Sequence, residues 1–170
     1  MVRKRDGRPT SSARTPRPEL LPSWASSPDV RTRMQKQRTR DTAPEIAVRR
    51  LIHAAGIRYR VDVAPLPNLR RRADVVFGPA RVALFIDGCF WHGCPEHGSR
   101  RTSANTEYWL TKIERNKARD RDTDERLRAE GWLSLRVWEH EDPFVVAHRT
   151  VAVVLHRRPI QDAMRRPDIH

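Results

Sequence analysis

The sequence predicts an α/β protein in which helices flank a mixed central β-sheet. Its periodic segments run in the order helix, three strands, helix, strand, helix, which is typical of a layered α/β domain. A Gly78-Pro79 turn joins the second and third strand-like runs and predicts an antiparallel hairpin. A long charged helix separates the third run from the fourth, so a parallel crossover is expected between those two strands.

The first predicted helix begins after Thr42 and ends at Gly56. Thr42-Ala43-Pro44-Glu45 has the pattern of a capping box, in which the Thr42 hydroxyl accepts from the Glu45 amide and the Glu45 carboxylate reaches back. Apolar residues then recur at helical spacing, and Gly56 is suited to the left-handed residue that closes a helix. From this pattern alone, we interpret Glu45 as a helix cap.

The strands and the remaining helices follow from shorter patterns. Residues 58–61, 73–77 and 81–87 are strand-like, and the apolar character of 81–87 predicts burial on both faces of the sheet. A helix is predicted from about residue 105 to 130, and Gly131 ends it. Residues 132–139 predict a further strand, and a last helix covers about 143–156.

The length and the charge favour one domain that binds a polyanion. A chain of 170 residues has room for one proper core, and Lys and Arg outnumber Asp and Glu by 34 to 21. The resulting net charge of +13 is typical of proteins that bind nucleic acid. We expect a flexible basic arm over 1–30, the folded domain over 31–158 and a tail over 159–170.

The chain lacks a run of about 18 apolar residues, so no membrane span is predicted. Its basic N-terminus has no apolar run behind it and does not resemble a secretory signal.

A short segment that holds both cysteines predicts a metal site. Cys89, Cys94 and His97 offer thiolate and imidazole ligands at close spacing, which suits tetrahedral zinc. A closed structural site needs a fourth ligand. His140 is the preferred candidate, because it follows a strand whose end should meet the same sheet edge, and His92 is the competitor. Two free thiols beside surface histidines are the alternative to a metal site.

Two carboxylates predict a second, catalytic metal site. Asp74 interrupts an apolar strand, where an unpaired charge is costly, and Asp87 ends the neighbouring strand. Paired carboxylates at a sheet edge are suited to magnesium. A salt bridge from Asp74 to Arg71 or Arg72 is an equally good explanation from spacing alone. His92 is a candidate general acid or base, since the reference pKa of histidine lies near neutrality.

Two adjacent aromatic residues suggest how the protein contacts a duplex. Phe90 and Trp91 follow the first cysteine and fit no strand or helix period. Apolar side chains of this kind can enter between base pairs and unstack them. Burial beneath the zinc loop is the alternative.

Several motifs in order resemble one known family, the very-short-patch or Vsr-type endonucleases that nick T:G mismatches. The resemblance runs from about Ser23 to Glu141 and comprises Met34, the segments 40–45 and 73–77, Asp87-Gly88-Cys89-Phe90-Trp91-His92-Gly93-Cys94-Pro95-Glu96-His97, the segment 105–116 and Val137-Trp138-Glu139-His140.

The resemblance implies a fold related to type II restriction endonucleases, with a structural zinc and a catalytic magnesium. It implies that Asp74 and the backbone carbonyl of Ile86 bind magnesium. His92 would assist proton transfer, and Glu45 would orient the attacking water, which goes beyond its interpretation as a cap. Asp87 stands where the best-studied members carry histidine, and it would add an acidic metal ligand or alter the pH dependence of cleavage.

The resemblance also implies the remaining assignments. Phe90, Trp91 and Met34 would form the DNA wedge, and His140 would complete the zinc site. We therefore expect a monomeric cytoplasmic protein, associated with the nucleoid, that acts on double-stranded DNA with a T:G mismatch alongside other mismatch-repair proteins. Two alternatives are a restriction-type or lesion nuclease of the same fold and a catalytically silent, zinc-stapled DNA-binding module.

Overall fold

A computed structural model describes residues 40–98 and 106–158. The predicted arm, Met34 and the predicted tail therefore lie outside the described residues. Within them, the predicted order of elements is confirmed, with bounds that differ by at most about two residues from those expected. The elements are α1 (Ala43–Ala54), β1 (Arg60–Val63), β2 (Ala73–Phe77), β3 (Val82–Asp87), α2 (Thr106–Ala129), β4 (Leu133–Trp138) and α3 (Pro143–Arg157).

The sheet has four strands in the order β1-β2-β3-β4. β2 is antiparallel to β1 and to β3, which confirms the hairpin at Gly78-Pro79. β3 and β4 are parallel, in a register that runs from Val82 opposite Leu133 to Asp87 opposite Trp138. Because parallel strands end at the same edge of a sheet, the segments after Asp87 and Trp138 emerge side by side.

The core has two parts, one on each face of the sheet. α1 and α3 pack together on one face, where Ile52 and Val146 join side chains of β2 and β3. On the other face, Leu127 of α2 packs against Ala83 and Phe85 of β3. The side chains at positions 82–85 are all buried, which confirms the prediction that β3 is covered on both faces.

The cap of α1 differs from the predicted capping box. The Thr42 hydroxyl donates to Glu45 Oε1 at 2.8 Å, and the Asp41 amide donates to Oε2 at 2.9 Å. Among the described residues, Thr42 accepts no capping hydrogen bond, so that half of the prediction is wrong. The hydroxyl instead points its proton at the charged Glu45 carboxylate, which is a strong acceptor. Glu45, which is itself buried, therefore binds the two residues that precede the helix.

None of the helices in the described ranges is long and apolar enough to cross a membrane.

The packing of α1 against α3 gives a direct test of the core. Ile52 is 0% exposed, and Ile52→Ala should lower the free energy of unfolding by about 2–5 kcal/mol, since it removes buried methylene groups and leaves a cavity. Leu155 on α3 is 54% exposed, so Leu155→Ala should cost less than about 0.5 kcal/mol. Urea unfolding measures both, and equal losses would contradict this packing.

Candidate active site and metal centre

A cleft of about 790 Å³ lies where β3 and β4 end. The four residues that the sequence proposed as catalytic, namely Glu45, Asp74, Asp87 and His92, all line this cleft, and so does Trp91. They come from four places in the chain: α1, β2, β3 and the loop that follows β3. The fold therefore brings together residues that the sequence could only propose one at a time.

Asp74 lies where the pairing of β2 with β3 ends. The last paired residues at this end are Val75 and Leu84, and the Ile86 amide donates to Asp74 Oδ2 at 2.7 Å. Burial raises the pKa of Asp74 to about 6, and the charges of Glu45 and Asp87 add to this effect. The Ile86 hydrogen bond acts in the opposite direction. Asp74 is half-buried, and a carboxyl in such surroundings beside other acids is an environment that a divalent cation would compensate.

The alternative explanation for Asp74 is wrong, because both nearby arginines bind other carboxylates. Arg71 binds Asp122 and also donates to the Thr123 hydroxyl at 2.9 Å. Arg72 Nε donates to an Asp62 oxygen at 2.6 Å.

His92 is held on the wall of the cleft by two carboxylates. Its Nδ1 lies 2.6 Å from Asp120 Oδ2 and 3.6 Å from Asp87 Oδ1. Burial alone would lower the pKa of His92, but the Asp120 hydrogen bond and the Asp87 charge raise it above its ordinary value. The pKa of Asp120 shifts in the opposite direction. Burial would raise it, but the hydrogen bond to His92 and the charge of Arg136 outweigh burial and lower it.

Asp87 does not stand free beside Asp74. Both of its oxygens accept from Arg136 Nη1, at 2.8 and 2.9 Å. This pairing engages the carboxylate that the sequence offered as a second acidic metal ligand. Burial would lower the pKa of Arg136, but the Asp87 charge and hydrogen bonds raise it.

Sequence reasoning missed Asp120 and Arg136. A signal for Asp120 was present, since Asn116, Asp120 and Asp124 recur every four residues along α2 and therefore share one face. The charged composition of α2 obscured this stripe. Arg136 had no comparable signal, because an arginine within a strand is ordinary at an exposed position.

The proposed zinc ligands come together at the same sheet edge. The ligand atoms of Cys89, Cys94, His97 and His140 all lie within 4.8 Å of one another. The Sγ–Nδ1 separations range from 3.0 Å for Cys89–His140 to 3.9 Å for Cys89–His97. A tetrahedral zinc site requires about 3.6 Å between such atoms. His140, rather than His92, completes the group.

Burial and the neighbouring Cys94 thiol raise the pKa of Cys89 to about 12. Two buried thiols side by side resist ionisation unless a cation compensates the charge, so the donor set fits a metal ion.

The loop that carries these ligands packs closely on α2. Gly93 has a φ of +65°, and a Cβ atom there would lie 2.8 Å from both Ile113 Cγ2 and Lys117 Cε. Asn116 Nδ2 donates to the Trp91 carbonyl at 2.7 Å. The loop over residues 89–97 therefore packs directly on α2, which also lines the cleft.

Phe90 and Trp91 form an aromatic cluster with Trp109, which the sequence reasoning did not single out. The ring centroids lie 5.1 Å apart for Phe90–Trp91, 5.0 Å for Phe90–Trp109 and 5.8 Å for Trp91–Trp109. Trp109 is buried, whereas Phe90 and Trp91 are half-buried. Lys112 Nζ lies 4.8 Å from the centroid of the Trp91 ring. The two predicted wedge residues thus rest on a buried aromatic base.

The family model for DNA mismatch endonuclease Vsr matches residues 27–97. The DNA mismatch endonuclease Vsr of Escherichia coli is 40% identical over 114 residues, which are 65% of this chain and 71% of that protein. The chain belongs to the Vsr family of DNA endonucleases. The type II nicking enzyme V.NaeI of Lentzea aerocolonigenes is 45% identical over 111 residues, 64% of this chain and 66% of that enzyme. V.NmeDIP of Neisseria meningitidis serogroup C, another type II nicking enzyme, is 35% identical over 130 residues, 76% of this chain and 84% of its own.

Membership of the Vsr family confirms the resemblance stated from the motifs and the prediction of a DNA endonuclease. The family match ends at His97, so the assignment of His140 to the metal group rests on the geometry of this Vsr-family chain.

A matched pair of histidine substitutions tests the metal group. We expect His140→Ala to weaken metal binding about 10-fold or more and to lower the melting temperature, since metal bound to the folded state stabilises it. His148 is exposed on α3, and His148→Ala should change neither property. Elemental analysis and thermal unfolding in the presence of a chelator measure both. Equal metal content in the two variants would exclude His140 as a ligand.

Proposed function

We propose that this Vsr-family endonuclease nicks one strand of duplex DNA beside a T:G mismatch, in a magnesium-dependent reaction. Such mismatches arise when 5-methylcytosine is deaminated, so repair of that lesion is the proposed role. The observation that carries the proposal is the cleft, whose lining includes a half-buried carboxyl, a histidine, an aromatic side chain and basic residues. We further propose a restriction-endonuclease-like fold and action as a monomer.

Asp74 and the backbone carbonyl of Ile86 are the proposed magnesium ligands. Magnesium is held in proteins by one or two carboxylates together with water and phosphate oxygens, which suits a single acid at an open cleft. When bound, the ion supplies charge stabilisation at the attacked phosphate and lowers the pKa of water. The raised pKa of Asp74 supports this assignment, because a nearby cation would favour its ionised form.

Glu45 and His92 are proposed to handle the water and the protons. Glu45 is buried in the cleft lining near Asp74, where a carboxylate oxygen can orient a water molecule. The same carboxylate also accepts hydrogen bonds from Asp41 and Thr42. The Nδ1 atom of His92 is engaged by Asp120, so Nε2 is the nitrogen proposed to exchange a proton with the substrate.

Basic side chains around the cleft are proposed to bind the DNA backbone. The lining includes Arg70, Lys112 and Arg119, which can contact phosphates and make binding depend on salt. Phe90, Trp91 and Met34 are the proposed wedge. Unstacking a mispair costs less than unstacking a paired step, which would provide part of the selectivity.

The proposed zinc site has a structural role. Cys89, Cys94, His97 and His140 join the loop after β3 to the end of β4, and that loop carries Trp91 and His92. A closed tetrahedral zinc site would therefore hold both side chains in place without taking part in the reaction.

A second candidate is a nicking enzyme that cuts intact duplex at a specific sequence. The V.NaeI and V.NmeDIP relatives are named as type II nicking enzymes, which favours it.

The catalytic assignment is tested by Asp74→Asn. This change should slow nicking of a T:G duplex on the order of 1,000-fold, because it removes the carboxylate that seats the cation, while DNA binding persists. Glu114, whose side chain is 64% exposed, gives the control Glu114→Gln, which should leave nicking unchanged. Single-turnover nicking and gel-shift binding, each with and without magnesium, report the two quantities. A DNA-binding module without catalysis would show no magnesium-dependent nicking in the unsubstituted protein.

The mismatch assignment is tested by comparing a T:G duplex with its fully paired counterpart. We expect nicking of the T:G duplex to be faster by about 10-fold or more, and we expect Trp91→Ala to reduce this ratio, since a wedge acts best at a weak pair. Leu110 on α2 is 58% exposed, and Leu110→Ala is the control for loss of an exposed apolar side chain. Equal rates on the two duplexes would favour the sequence-specific nicking enzyme.

A further inference from the structure

Arg136 lies at the centre of a cluster of four other charged or titratable side chains, called here the Arg136 cluster. It donates to both Asp87 oxygens at 2.8 and 2.9 Å, and its Nη2 lies 3.3 Å from Asp120 Oδ1. Its Nε lies 3.1 Å from each Asp124 oxygen. His92, which contacts Asp120 and Asp87, completes the cluster. One guanidinium thus bridges carboxylates from β3 and α2.

The cluster is sheltered from water. The side chains of Arg136, Asp87 and Asp120 are only 22%, 11% and 17% exposed. The guanidinium carbon also lies 4.6 Å from the centroid of the Phe85 ring. In such surroundings charged hydrogen bonds are screened weakly, and an arginine can hold two carboxylates in fixed directions through its planar fork.

The Arg136 cluster lies beside the cleft. Four of its five members, namely Arg136, Asp87, Asp120 and His92, line both the cleft and a second pocket of about 360 Å³, and Asp124 lines only the second pocket. The cluster therefore lies between the two pockets, and its side chains are held by their own ion pairs, by the Phe85 ring beside Arg136 and by the Ser134 hydroxyl, which donates to Asp124 Oδ1 at 2.6 Å.

The cluster determines the orientation of His92. Both carboxylates that face Nδ1, those of Asp120 and Asp87, are themselves bound by Arg136. No hydrogen bond joins Nε2 to another described residue, so Nε2 is the nitrogen left for a substrate in the cleft. If the guanidinium were removed, each carboxylate would be free to turn, and the imidazole with them.

We propose that Arg136 is a positioning residue for nicking, which fixes Asp87 and Asp120 so that they hold His92 Nε2 toward the attacked phosphate. This inference rests on the proposed function of the cleft. It also assigns Asp87 to the orientation of His92, in place of its expected role as a second acidic metal ligand.

A metal ion is a poorer explanation of the same group. Asp87, His92 and Asp120 place ligand atoms within 4.8 Å of one another. However, the guanidinium already occupies both Asp87 oxygens and approaches Asp120, so it supplies the positive charge that a cation would otherwise bring.

The first test is chemical rescue of Arg136→Ala. A displacement of a catalytic group by about 1 Å can slow a reaction on the order of 100-fold. We therefore expect single-turnover nicking by Arg136→Ala to slow by about that factor, while its DNA affinity stays within about twofold of that of the unsubstituted protein. Added guanidinium chloride should restore about 10-fold of the rate, whereas the same concentration of sodium chloride should not. Arg149 lies on α3 and forms an ion pair with Glu141. It gives the control Arg149→Ala, which should nick normally.

Arg136→Lys guards against simple loss of folding in Arg136→Ala. Lysine keeps the charge but lacks the planar fork that engages two carboxylates at once, so nicking should still slow by more than about 10-fold. Thermal unfolding shows whether each variant is folded. Rates for both variants within twofold of Arg149→Ala would overturn the proposal.

The second test does not depend on nicking. Long-range ¹H–¹⁵N spectra of the full chain, labelled at histidine, report which ring nitrogen of His92 is hydrogen-bonded. We expect the Nδ1 signal to change in Arg136→Lys and to stay unchanged in Arg149→Ala. An unchanged signal in Arg136→Lys would overturn the positioning role. A wild-type protein that never nicks T:G duplexes would instead refute the proposed function, and the spectra would still decide the role of Arg136.

Discussion

The parallel pairing of β3 with β4 is the constraint on which the rest of this site depends. Its register ends with Asp87 opposite Trp138, and it is extended by the Glu139 amide, which donates to the Asp87 carbonyl at 3.0 Å. Glu139 Oε1 then accepts from the Cys89 amide at 2.7 Å. One continuous seam therefore aligns the loop after β3 with the end of β4, and it brings Cys89 to within 3.0 Å of His140.

A shift of this register would separate both groups of functional side chains. The proposed metal group combines side chains from the loop after β3 with His140, the residue after Glu139. The Arg136 cluster combines Asp87 from β3, Arg136 from β4 and Asp120 from α2. A one-residue slip would turn Arg136 to the other face of the sheet and break its pairs with Asp87. The same pairing thus supports the metal group and the cleft.

Much of this architecture could be predicted because it depends on local signals. The Gly78-Pro79 turn, the apolar run of β3 and the glycine after α2 each determine one element, and the motif at 87–97 indicates the family. The cap of α1 was only half predicted, since side-chain geometry decides whether the Thr42 hydroxyl lies beside the Glu45 carboxylate or beside the Glu45 amide. Asp74 could not be assigned from spacing, because Arg71 and Arg72 stood close in sequence and only the fold directs them elsewhere.

The proposed mechanism depends most on a divalent cation at the carboxyl group of Asp74. Crystals of the protein grown with Mn²⁺ and measured at the manganese absorption edge would locate the ion directly. We expect an anomalous peak within about 2.5 Å of an Asp74 carboxylate oxygen, on the side open to the cleft. A fully occupied peak among Asp87, His92 and Asp120, with none at Asp74, would contradict it.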